Sequence, residues 1–147
     1  SRPDQPPVEI GVAGSALSEL PEIEREVSEI AGCFSDATVM PDAGVGEVRW
    51  LLADCDAVHI ASHGAFQSWF PAGSGIRLGD GWLTALDLVR CTRTASFVYL
   101  SACASGQQAV RPDEELLGLV RALLAGGTRT AILAPSLWST PTVRTRA

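Results

Sequence analysis

Short apolar runs alternate with stretches of helical periodicity along nearly the whole chain, and that alternation restricts the fold more than any other feature. VEIGVAG (8–14) reads as a strand closed by glycine. From Ser18 the apolar positions Leu20, Ile23, Val27 and Ile30 recur at helical spacing, with Pro21 tolerated in a first turn and Glu22, Glu24 and Glu26 favoured near the positive helix end. ATVM (37–40) predicts a second strand, and Val48, Leu51 and Leu52 a second helix. AVHIASHG (57–64) is the next strand, followed by a loop rich in Gly, Ser and Pro. In IRLGDGWLT (76–84) the pair Asp80-Gly81 suits a tight hairpin turn. Thr84 can cap a helix in TALDLVRC, and SFVYLSAC (96–103) is the most strand-like run. Asp113 can cap DEELLGLVRALLAGG, which paired glycines end, and TAILAPSLW (130–138) supplies a last strand. Strands alternating with helices imply an α/β fold: a mostly parallel sheet covered on both faces, with functional residues at the carboxyl ends of strands.

The 147 residues suffice for one domain with one sizeable core, and no internal repeat is evident. With 46% hydrophobic and 19% charged residues the chain is globular, and no apolar run approaches the roughly 20 residues of a membrane span. A net charge of −6 argues against nucleic acid as a direct partner, because such binders carry a clustered basic face. The four cysteines, Cys33, Cys55, Cys91 and Cys103, include no C-x-x-C pair, and SRPDQPPVEI lacks the regions of a signal peptide. A reduced, cytoplasmic setting without membrane attachment is the expectation. Residues 1–7 read as a linker or tag remnant, 8–138 as the domain, and 139–147 as a C-terminal tail.

His59 and His63 are the only histidines, four residues apart. On a helix they would share a face as metal-binding pairs do, but Ile-Ala-Ser between them lacks the glutamate of H-E-x-x-H. On a strand they also share a face, about 13 Å apart, too far to grip one ion. No metal site is therefore expected, since zinc needs three or four gathered ligands. His63, at the strand's end, can project into a cleft; His59, inside the strand, reads as a hydrogen-bonded core residue. SFVYLSACASG places Cys103 directly after an apolar strand, followed by small residues that let a substrate backbone approach. A thiol nucleophile needs a basic partner in space, and the imidazole of His63 can serve if the two strands lie side by side. Spacing alone leaves Cys103 equally readable as a small buried hydrophobe.

HIASHG, the hairpin GIRLGDGWLTALDLV, FVYLSACASG, DEELLGLVRALLAGGTRTAI and SLW, in this order from about Val8 to Trp138, resemble the CHAT domain. That family is similar to caspases and to the clan of cysteine peptidases that includes separases, metacaspases and gingipains. The resemblance implies a caspase-like three-layer α/β/α sandwich with a small β-hairpin insertion. It implies a cysteine endopeptidase working through a Cys-His dyad, with His63 as general base, Cys103 as nucleophile, and the backbone N–H groups of Gly64 and Cys103 as an oxyanion hole. No cofactor is expected. CHAT domains continue beyond SLW through elements corresponding to the small-subunit side of a caspase, so the C-terminal part reads as truncated. The implied partners are a protein or peptide substrate, a regulatory or sensor domain, and the missing small-subunit-like segment.

Ser62 and Ser101, beside the two strand ends, are candidates for substrate contact. Asp113 could favour a basic residue before the scissile bond, although capping and the helix dipole explain acids at that position better. Asp80 is a turn residue first. Trp69, Phe70 and Trp82 could line a substrate groove or cover the hairpin against the sheet. Two other classes stay in view. A catalytically silent interaction module, or an inactive fragment of a larger protease, would use the same fold to hold a partner. A nucleotide-binding domain has only Gly-Val-Ala-Gly-Ser (11–15) in its favour, without the lysine and spacing of a phosphate loop. No G-x-S-x-G elbow supports a serine hydrolase.

Overall fold

A computed structural model describes residues 8–14, 21–62, 75–91, 93–102 and 112–135. The chain runs β1 (Ile10–Gly14), α1 (Pro21–Ala31), β2 (Thr38–Met40), α2 (Val45–Asp54), β3 (Ala57–Ser62), β4 (Gly75–Leu78), β5 (Gly81–Thr84), α3 (Ala85–Val89), β6 (Phe97–Ala102), α4 (Pro112–Ala125) and β7 (Thr130–Pro135). Five strands form a parallel sheet in the order β2-β1-β3-β6-β7, and β4 and β5 form a separate antiparallel hairpin. This is the α/β architecture the alternation of runs predicts, consistent with the caspase-like fold.

Strand alternation divides the core into two layers. Val12 and Ala61 face α1 and pack with its Ile23 and Val27. Val58, Ile60, Val98 and Leu100 point the other way, into a larger cluster built from α2 (Val48, Leu51, Leu52), the hairpin (Ile76, Leu78, Leu83), α3 (Leu88) and α4 (Leu119, Leu123). Each such fully buried aliphatic side chain contributes about 1.5–3 kcal/mol. The central strands β3 and β6 are buried on both sides over most of their length, which is why their sequences read as nearly continuous apolar runs.

Three connections show how local chemistry fixes the layers. Thr84 caps α3 as expected: its Oγ1 accepts from the Asp87 N–H at 3.1 Å, and the Asp87 carboxylate accepts from the Thr84 N–H at 3.0 Å. The paired glycines do end α4. Gly127, at φ 110°, and Thr128 donate to the carbonyls of Leu124 and Leu123 at 3.2 and 3.1 Å, a Schellman closure that needs a residue without Cβ at its turning point. Helix α4 itself begins one residue before the expected cap, at Pro112, so Asp113 is its second residue. A proline suits that first position because it has no N–H to leave unpaired and its φ is already helical.

The hairpin departs from expectation in register. Leu78 pairs with Gly81, so the connecting residues are Gly79 and Asp80, and Gly81 opens β5. The cause is docking. The Gly79 N–H donates to the Ala43 carbonyl at 3.2 Å, and Asp80 Oδ1 accepts from the Val45 N–H at 2.8 Å, at the start of α2. The residue that caps this helix, Gly44, has no side chain, and Asp80 takes that role from 35 residues away. Gly44 also makes room for it: a Cβ there would lie 2.5 Å from Asp80 Oδ2.

Candidate active site at the ends of β3 and β6

Strands β3 and β6 are adjacent, parallel and in register from Ala57↔Phe97 to Ser62↔Ala102. In the sequence, His63 directly follows β3 and Cys103 directly follows β6. His63, Gly64 and Cys103 lie outside the described residues, as do Trp69 and Phe70.

The side chains behind the two strand ends are tied to the rest of the fold. Ser62 is buried, and its Oγ donates to the Arg77 carbonyl of β4 at 3.3 Å, joining the end of β3 to the hairpin. Arg77 lays its guanidinium over the Trp82 ring, 5.6 Å from the centroid, so Trp82 has a cross-strand partner within the hairpin. Ser101, also buried, donates from Oγ to Glu26 Oε2 at 3.2 Å. Each serine hydroxyl thus has a partner inside the fold.

His59 occupies the interior strand position the sequence suggests. Its Nε2 lies 2.9 Å from Glu26 Oε1, and its ring stacks on Tyr99 with centroids 4.8 Å apart and planes 12° from parallel. Tyr99 is its register partner on β6. Glu26 therefore receives one donor from β3 and one from β6. Sequence reasoning placed this glutamate among acids favoured by the helix dipole; in the structure it faces the sheet, and its side chain is only 16% exposed. The signal was present in the spacing, because Glu26 falls on the same helical stripe as Ile23, Val27 and Ile30. A charged residue on an apolar stripe must find partners in the interior.

Toward the amino ends of the strands, the same face carries an apolar groove of about 350 Å³, lined chiefly by Ile10, Ile30, Phe34, Phe97 and Tyr99. Glu26 and His59 supply its polar spot. Among the described residues no helix is long and apolar enough to cross a membrane.

The family model for the CHAT domain matches residues 3–147, nearly the entire chain. The chain belongs to the CHAT domain family. No curated protein matches it. The CHAT domain is a caspase-like family, and the five-stranded parallel sheet with its antiparallel hairpin agrees with that class. In this CHAT domain the two strands that lead to the family-like segments SHG and ACASG are neighbours in the sheet, β3 at its centre and β6 beside it.

Proposed function

We propose that this CHAT domain is a caspase-like cysteine endopeptidase in which His63 and Cys103 form the catalytic dyad. The observation that carries the reading is the register of β3 and β6, with Ser62 opposite Ala102. Counting one residue onward, positions 63 and 103 have the same parity as His59 and Ala61 on one strand and Tyr99 and Ser101 on the other. Parallel neighbours in register are separated by about 4.8 Å, a spacing compatible with a thiol and an imidazole that share a proton.

The chemistry follows from those two groups. His63 takes the thiol proton, and the Cys103 thiolate attacks the carbonyl carbon of a peptide bond. The oxyanion that develops is stabilised by the N–H groups of Gly64 and Cys103. The imidazolium returns its proton to the leaving amine, and water assisted by His63 then hydrolyses the thioester, releasing the acid and the free thiol. Asp113 would favour substrates with Arg or Lys before the scissile bond.

Cleavage of a peptide panel varied at the residue before the scissile bond tests the reading. Cys103→Ala and His63→Ala are each expected to abolish cleavage, and Asp113→Asn to weaken any preference for a basic residue. Unchanged cleavage by both purified dyad variants overturns it. Absence of cleavage, combined with failure of an electrophilic peptide probe to label Cys103, would point instead to a silent protein-binding module.

A further inference from the structure

We infer that Glu26 is a positioning residue that clamps β3 to β6 and thereby sets the relation of His63 to Cys103. The inference rests on the dyad reading above and adds to it a residue from a different element, α1.

The geometry is specific to one seam of the sheet. A carboxylate on the apolar stripe of a helix is destabilising unless both oxygens are satisfied. Here Oε1 is 2.9 Å from His59 Nε2 on β3, and Oε2 accepts from Ser101 Oγ on β6 at 3.2 Å. One rigid planar group thus bridges two strands. The His59–Tyr99 stack crosses the same seam at the clamp's own histidine. Among the described residues, no other pair of neighbouring sheet strands is joined through side-chain hydrogen bonds of this kind.

Backbone hydrogen bonds already fix how far apart the strands lie. What a side-chain clamp adds is resistance to relative twisting of the two strands between the His59↔Tyr99 and Ala61↔Ser101 pairs. Ser101 precedes Cys103 by two residues and His59 precedes His63 by four, so in the sequence each donor is an even number of positions from its strand's proposed reactive residue. Misplacement of reacting groups by about 1 Å can lower a rate about a hundredfold. Loss of the clamp is therefore expected to act on the chemical step rather than on substrate binding.

The test compares Glu26→Ala, Glu26→Gln, Ser101→Ala and His63→Ala with the unaltered protein. Two quantities are read: kcat and KM for peptide cleavage, and the pH profile of Cys103 alkylation by iodoacetamide, located by peptide mass. Glu26→Ala should lower kcat about ten- to a hundredfold, with KM within about twofold. Glu26→Gln, which retains an acceptor for Ser101 and a donor or acceptor for His59, should restore most of the loss. The alkylation profile of Glu26→Ala should move toward that of His63→Ala, and that of Glu26→Gln should stay with the parent. A shifted His63→Ala profile beside an unchanged Glu26→Ala profile overturns the clamp alone. An unchanged His63→Ala profile overturns the dyad and the clamp together. If Glu26→Ala fails to fold, Ser101→Ala decides: a folded variant with parental kcat and profile overturns the clamp.

Discussion

At the scale of single residues, Cys55 offers a sharp prediction. It closes α2, is almost fully buried, and lies near Asp54, Asp56 and Glu9. Burial first, and then these carboxylates, raise the pKa of its thiol. A thiol whose folded pKa is raised keeps its proton to higher pH in the folded state than in the unfolded one, so stability falls as pH rises past the unfolded value near 8.5. Below that value Cys55 contributes no slope. The chain suits the measurement because all 11 of its Lys and Arg positions are arginines, leaving no lysine to titrate in the same window. Urea unfolding at pH 7.5 and pH 10 should show a loss of stability that Cys55→Ala reduces; an identical slope in the variant would rule the thiol out. Exposed Cys33 should be alkylated well before Cys55 at neutral pH.

Among elements, the hairpin and α2 are coupled through one carboxylate. Asp80→Ala should destabilise the protein by about 1 kcal/mol, the usual loss for a helix cap, as read by urea unfolding. Gly44→Ala should displace the same carboxylate, so the double variant is expected to lose less than the two single losses added together. Additive losses would show that Asp80 does not act at the helix end. This coupling also marks where the sequence could be read and where it could not. The apolar spacing of Val48, Leu51 and Leu52 announced α2, and Thr84 and Gly126-Gly127 announced their caps, because those signals are local. Asp80-Gly81 misled about the hairpin register because the turn is set by a docking contact with residues 43–45, which no local pattern encodes. Glu26 was misassigned for the same reason: its partners are 33 and 75 residues away. His63 and Cys103 are proposed from their strand-end sequences alone, while the group proposed to hold their strands in relation needed the assembled sheet.

For the whole molecule, the sheet order concentrates stability in β3 and β6. Like β1 they are flanked on both sides, and their Val58, Ile60, Val98 and Leu100 are buried in the larger core cluster, whereas β2 has three residues and β7 forms the other edge of the described sheet. Native-state hydrogen exchange should therefore be slowest at amides of Val58, Ile60, Val98 and Leu100 and fastest in β2. Equal protection in β2 and β3 would contradict that ranking. The order β2-β1-β3-β6-β7 has a further consequence, one that unfolds in time. β3 adds to the side of β1 that β2 leaves free, β6 then adds to β3 and β7 to β6, so from β3 onward the sheet grows in one direction in the order of synthesis. A growing chain can extend the sheet outward without reopening any pairing already made. At about 5–20 residues per second, the 40 residues from His59 to Tyr99 take about 2–8 s to make. Where pairing keeps pace with synthesis, β3 would be the sheet's edge for that interval, and the Glu26 oxygen that accepts from Ser101 would wait for a strand still to come.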